Sequence, residues 1–227
     1  MELTHPIFSF NIGSLVIDIK QEAIIQLGLI LLIGILAWWA TRDLKLKPTS
    51  KKQVVVEYLY TTVQNVVHAN MGEKYSDVIP FIGTLAVFIL SMNLLGLVGL
   101  TPVTNNFSVT LAMGLISFVV IQGYTIKKIG LGHYFLGYGK PMLMMLPINI
   151  IERVMLPVSL ALRLFGNILA ASFLVELVYE SLDKIAWIAQ IGLPVPLHAY
   201  FDIFDGGIQM VIFVMLTMIN MKITVEH

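Results

Sequence analysis

The sequence contains no cysteine. That excludes a disulfide framework, thiolate ligation of zinc or iron–sulfur clusters, and a cysteine nucleophile. Charge is almost as scarce. Asp, Glu, Lys and Arg make up 12% of the 227 residues, about half the ~25% of an ordinary soluble domain. Formal net charge is zero, which offers nothing to a nucleic acid. HExxH, Gly-x-Ser-x-Gly and a glycine-rich phosphate loop are all missing, so no catalytic site, nucleotide site or cofactor is expected on this chain. His68, His133 and His198 are scattered and form no metal-ligand pattern; they are assigned to interface or loop. The opening MELTHPIFSFNIGSLVIDIKQ lacks the charged start and small-residue cleavage site of a signal peptide. It reads as an extra-membrane segment.

Apolar residues dominate instead, at 57% of the chain and a mean hydropathy of +0.85. A bilayer suits such a sequence, and a helix needs about 20 apolar residues to cross one. Five stretches qualify: 23–40, 79–100, 107–126, 146–178 and 198–221. The first ends in Trp38 and Trp39, residues suited to the membrane interface. Segment 53–71 differs. Val55, Leu59, Val63, Val66 and Val67 recur at helical spacing among Glu57, Gln64, Asn65 and His68, which predicts an amphipathic interfacial helix. The expected fold class is an all-α integral membrane protein, one membrane domain over 1–227. It comprises an external segment 1–22, a first span 23–40, the interfacial helix 53–71, two spans within 79–126, and the last two apolar stretches over 146–221.

Basic residues set the orientation. With alternating spans, Arg42, Lys45, Lys47, Lys51, Lys52, Lys74, Lys127, Lys128, Lys140 and Lys222 fall on one side, and Lys20 and Lys184 on the other. That bias predicts an external N-terminus and a cytoplasmic C-terminus. The lack of a transit peptide points to a bacterial plasma membrane.

With most of the charge assigned to loops or flanks, five groups resist: Glu152, Arg163, Glu176, Asp202 and Asp205. Each costs roughly 2.5–3.5 kcal/mol at a span centre, so such groups face a bundle interior or a water-filled cavity. Helical spacing sorts them. Ser159, Arg163 and Asn167 form one stripe, and Ser172, Glu176 and Glu180 another. Arg163 and Ser172 are nine residues apart, about 180° around a helix of 3.6 residues per turn, so the two stripes lie on opposite faces. Asp202, Asp205 and Gln209 form a third. The pattern suggests two hydrated pockets divided by a positive charge. Plainer readings stand beside it. Glu180 and Asp183 fit simple solvation at the outer membrane edge. Glu152 and Arg153, between Pro147 and Pro157, fit the start of a helix. Asp202 fits an interfacial anchor. Arg163 fits either a working charge or a structural ion pair with Glu176 or an Asp of the last span.

The segment S159-L-A-L-R-L-F-G-N-I-L-A170 resembles the signature helix of subunit a of the F-type ATP synthase membrane sector. F88-I-L-S-M-N-L-L-G-L-V-G-L100 with N106-F-S-V-T-L-A-M113, and F201-D-I-F-D-G-G-I-Q-M-V-I-F-V-M-L-T217, resemble further blocks of that family. The resemblance runs from about residue 20 to the C-terminus. It implies a stator pressed against a ring of c subunits, with a b-subunit peripheral stalk and the other synthase subunits as partners. Two aqueous half-channels would carry H⁺ or Na⁺ to and from the ring's carboxylates. By motif match Arg163 is the charge between them, Asn167 lies one turn on, and Gln209 matches the glutamine that pairs with the arginine region. The family's long fourth stretch is a tilted helical hairpin around the ring. Two positions depart from the best-known pattern. Ser172 stands where some members have glutamate, and Asp202 where some have histidine. Glu176 or Asp202 is expected to supply the displaced carboxylate, with Asp205 as a further lining group.

The competing reading is a secondary transporter that binds an anionic substrate at Arg163. Such carriers usually show two repeated halves; this sequence shows no repeat, and five spans do not divide into two equal sets.

Overall fold

A computed structural model describes residues 8–12, 15–19, 21–42, 44–45, 50–98, 100, 103–132, 134, 146–183 and 194–226. The chain divides into two compact units, Met1–Thr62 and Val63–His227, with the boundary inside a helix.

In the first unit, FSFNI and LVIDI are rich in the aromatic and β-branched residues that favour strands. They form β1 (Phe8–Ile12) and β2 (Leu15–Ile19), an antiparallel pair in which Phe8 faces Ile19 and Ile12 faces Leu15. This hairpin adds the only strands among the described residues to an otherwise helical chain. Helix α1 (Gln21–Thr41) follows, with Leu27, Leu31, Ile35, Trp38 and Trp39 all exposed. An apolar helix with such a surface is matched to lipid. Helix α2 (Lys51–Met71) starts at Ser50, whose Oγ accepts a hydrogen bond from the Gln53 N–H at 3.2 Å, a side-chain N-cap.

The second unit takes up α2 from Val63 to its end at Met71. Gly72, at φ 100°, turns the chain there, a conformation that only glycine adopts without strain. A 3₁₀ turn, Glu73–Val78, leads into α3 (Ile79–Asn93). Two further 3₁₀ turns, Leu94–Val98 and Val103–Asn105, precede α4 (Phe107–Ile129). Asn106 caps α4, accepting from the Ser108 N–H at 3.0 Å. Lys127 and Lys128 lie in its last turn, where the helix dipole favours cations. Helix α5 (Leu146–Asp183) runs for 38 residues, about 57 Å. Helix α6 (Pro194–His198) continues through a π-helical segment, Ala199–Asp205, into α7 (Gly206–Glu226).

Among the described residues, five helical runs are long and apolar enough to cross a membrane: Ala23–Thr41, Glu73–Val98, Phe107–Ile129, Leu146–Leu182 and Pro196–Glu226. They match the five expected spans, with ends shifted by a few residues. The second expected span, 79–100, is α-helical only to Asn93 and tightens to 3₁₀ beyond it.

Helix α4 packs against both α5 and α7, and α3 packs on α7. Ile82, Ile89, Met92, Val103, Ile121, Leu164 and Met218 fill the centre. Buried Thr125 and Thr217 spend their hydroxyls on their own helices, donating to Ile121 O at 2.8 Å and Phe213 O at 2.9 Å. Large apolar side chains such as Val119, Ile151, Leu174 and Ile203 point outward, as expected where the solvent is hydrocarbon.

Candidate ion pathway

Helix α5 positions the residues singled out above. Pro157, Leu160, Ala161, Leu164 and Ile168 form its buried stripe. That stripe lies on α4: Arg153 Nη1 donates to Gln122 Oε1 at 3.1 Å, Gly114 meets Pro157, and the Phe107 ring stands edge-on to Phe165 at 5.5 Å. The two helices are therefore antiparallel, and α4 stops opposite Phe165. Beyond that point α5 runs past α4 toward α6, and its inner face opens into a cavity.

The cavity holds about 460 Å³. Ile168, Ala171, Ser172, Val175, Glu176 and Tyr179 of α5 form one wall. His198, Phe201, Asp202, Asp205 and Gly206 form the other, and Asn93, Gly96 and Leu100 close it from the end of α3. Three carboxylates from two helices thus share one space. Asp202 is held on both sides. Its Oδ2 lies 3.4 Å from His198 Nδ1, one turn earlier, and its side chain is only 12% exposed. Opposite, the carboxylate sits against Gly96, where a Cβ would come within 2.6 Å of both oxygens. Asn93 fixes the base of this wall. Its Nδ2 donates to Gly206 O at 3.0 Å, and its Oδ1 accepts from Thr104 Oγ1 at 3.4 Å.

Arg163 lies away from this cavity. It is exposed on the free face of α5, next to Ser159, Leu162 and Gly166. Among the described residues it makes no ion pair and no hydrogen bond, so the alternative of a structural ion pair with Glu176 or an Asp of the last span has no support. Asn167 is half-buried between the two faces.

The third stripe divides. Asp202 and Asp205 line the cavity, whereas Gln209 is buried, 4% exposed, and takes no part in its walls. The split is one of depth: the cavity reaches along this helix as far as Gly206, and Gln209 lies nearly one α-helical turn beyond it, inside the bundle.

The plainer readings also find their places. Arg153 ties α5 to α4 through Gln122, while Glu152 is exposed. Glu180 is exposed, and Asp183 ends α5. His68 Nε2 lies 3.1 Å from Ser76 Oγ. His133, Lys140 and Lys184 lie outside the described residues. No group of His, Cys, Asp and Glu among the described residues could hold a metal ion. His198 and Asn93 are the site residues that the sequence reading passed over. The i, i+4 spacing of His198 to Asp202, and a lone Asn in the apolar run FILSMNLLGL, were the available signals.

A bundle of lipid-matched helices, with carboxylates gathered in a cavity on one side of a helix and a lone arginine on the other, marks an ion-handling membrane protein. The family model for the ATP synthase A chain matches residues 23–222. Subunit a of ATP synthase from Lysinibacillus sphaericus strain C3-41 is 33% identical over 239 aligned residues, covering 99% of this chain and 100% of the relative. The protein of the same name from Staphylococcus carnosus strain TM300 is 32% identical, covering 100% of both chains. A sodium ion specific ATP synthase subunit a from Propionigenium modestum is 26% identical over 98% of this chain and 77% of the relative. The chain belongs to the ATP synthase subunit a family. It is a multi-pass membrane protein and a non-catalytic, ion-translocating stator subunit of the synthase, working with the other subunits of that complex.

Proposed function

We propose that this chain forms two aqueous half-channels that pass H⁺ or Na⁺ to and from the carboxylates of a c-subunit ring, with Arg163 as the charge between them. The observation that carries the reading is the separation on α5: an unpaired, exposed Arg163 on one face, and Ser172 and Glu176 on the other. An arginine inside an apolar helix needs a counter-charge, and none of the described residues supplies it. A ring carboxylate passing that face would.

The chemistry follows from guanidinium. It stays protonated at any working pH. It favours the ionised form of an approaching carboxylate, which then gives up its ion. It also repels free cations, so the two half-channels do not short-circuit. Ser159 and Asn167 border it with neutral polar groups. Glu176, Asp202 and Asp205 line one water path, with His198 beside Asp202. Gln209 supports the arginine region from α7. At about 57 Å, α5 greatly exceeds the ~30 Å hydrocarbon core and crosses it only with steep tilt, forming with α6–α7 a tilted hairpin against the ring. The N-terminus is outside, the C-terminus is in the cytoplasm, and a b-subunit stalk completes the stator in a bacterial cell membrane.

The test uses inverted membrane vesicles carrying the assembled complex with Arg163→Ala. ATP-driven ion uptake should be lost and passive leak should rise. Retained coupled uptake would make the arginine structural. Separately, Glu176→Gln with Asp202→Asn should slow uptake while assembly persists; an unchanged rate would take both carboxylates off the path.

A further inference from the structure

A second charged feature lies where α1 meets α2, within the first unit. Trp38 and Trp39 end the apolar helix and are 61% and 59% exposed. Each carries a cation on its ring. Arg42 Cζ is 5.1 Å from the centroid of Trp38, and Lys52 Nζ is 4.3 Å from that of Trp39. Lys52 Nζ also donates to Trp39 O at 2.5 Å, which ties the start of α2 to the end of α1. Gln53 fixes the connection. Its side chain is buried, accepting from the Lys45 N–H at 3.2 Å and donating to Lys45 O at 2.6 Å. Lys45 and Lys51 are exposed beside this tie. Glu57, the one carboxylate of α2, accepts from Gln53 Nε2 at 2.7 Å.

We propose that this corner is a binding site for the headgroup of an anionic phospholipid. Arg42, Lys45, Lys51 and Lys52 cluster at the polar end of a lipid-matched helix, and basic clusters in that position attract anionic headgroups. The adjoining surface is apolar: Ile35 and Leu36 are exposed one turn before the indoles. A phosphate diester held by the cations would therefore have its acyl chains along α1. A free phosphate would use only the charges. The Gln53 clamp and the Lys52–Trp39 tie set the corner's shape before any lipid arrives, which lowers the ordering cost of binding.

The test uses the assembled complex in nanodiscs of phosphatidylcholine doped with a photoactivatable phosphatidylglycerol. Labelling of the peptide containing residues 38–52 is read by mass spectrometry. The wild type should label with phosphatidylglycerol well above an equivalent phosphatidylcholine probe, and the signal should fall with salt. Lys45→Gln with Lys51→Gln removes two exposed charges without touching the tie. Each such charge is worth about 1 kcal/mol at an anionic surface, so affinity should fall about 30-fold. Equal labelling by both probes in the wild type, or undiminished labelling of the double variant, would overturn the proposal. Full competition by millimolar inorganic phosphate would overturn the lipid source. Loss of another subunit from the variant with labelling intact would assign the cations to a protein partner instead. The probe comparison in the wild type decides the matter even if the variant does not assemble.

Discussion

Gly114→Ala tests whether the approach of α4 to α5 sets the working position of Arg163. A Cβ at Gly114 would lie 2.5 Å from Pro157 O and 3.3 Å from its carbonyl carbon. An ordinary carbon–oxygen contact begins at about 3.3 Å, so the helices must part by roughly 0.8 Å. The neighbour is backbone, inside a helix, and cannot rotate away. Overpacking of this kind costs about 1–3 kcal/mol. Replacing a helical glycine by alanine returns about 0.5–1 kcal/mol, so the net change is destabilising. Arg163 follows Pro157 by six residues, about 9 Å along the same helix, and moves with it. A displacement near 1 Å at a working group can cost about 100-fold in rate. Uptake of ions into inverted vesicles should then fall by about 10- to 100-fold, with a lower melting temperature for the purified complex. Gly123→Ala is the control. It lies on the same helix and its Cβ would meet nothing within 4 Å, so it should be neutral or slightly stabilising. Equal uptake and equal stability in the two variants would refute the reasoning.

Arg163→Lys keeps a charge but loses the planar fork and can deprotonate when desolvated; ATP-driven uptake should be severely impaired, and near-normal pumping would contradict the role given to guanidinium. Gly96→Ala drives a methyl into the Asp202 carboxylate, so uptake should drop while Gly72→Ala, strained at a turn remote from the cavity, lowers stability instead; the pair is read by uptake against thermal melting. Asn93→Leu leaves Gly206 O and Thr104 Oγ1 without their partner and should cost about 1–3 kcal/mol, measured as a lower melting temperature of the complex.

The helical architecture was legible because hydrocarbon solvent imposes a simple rule, and runs such as AIIQLGLILLIGILAWWA obey it. Arg163 was legible for the converse reason: one charge in SLALRLFGN breaks the rule. The opposite-face placement of Arg163 and Ser172 also follows from α-helical arithmetic, since α5 is unbroken between them. Three things resisted. The hairpin of Phe8–Ile19 is too short to register in a hydropathy window, and the sequence reading assigned it only a location. The role of Asn93 depends on Gly206, 113 positions later in the chain, a contact that no local pattern reports. Nor does the sequence mark the Ala199–Asp205 π-helix, or that the cavity ends at Gly206, so that Gln209, nearly one turn further on and buried, takes no part in it.

That π-helical turn makes the wall of the cavity sensitive to length as well as composition. Each α-helical residue turns the chain by about 100° and advances it about 1.5 Å. Deleting one residue between Asp202 and Asp205 would let the segment relax to an ordinary α-helix. Gly206–Glu226, anchored on α3 and α4, would stay where it is. Everything upstream, including His198 and Asp202, would rotate as a block, like a key turned one notch in a fixed lock. A single codon lost there would reorient a carboxylate without changing any residue that touches it, whereas the same loss within α1 would only shorten a span.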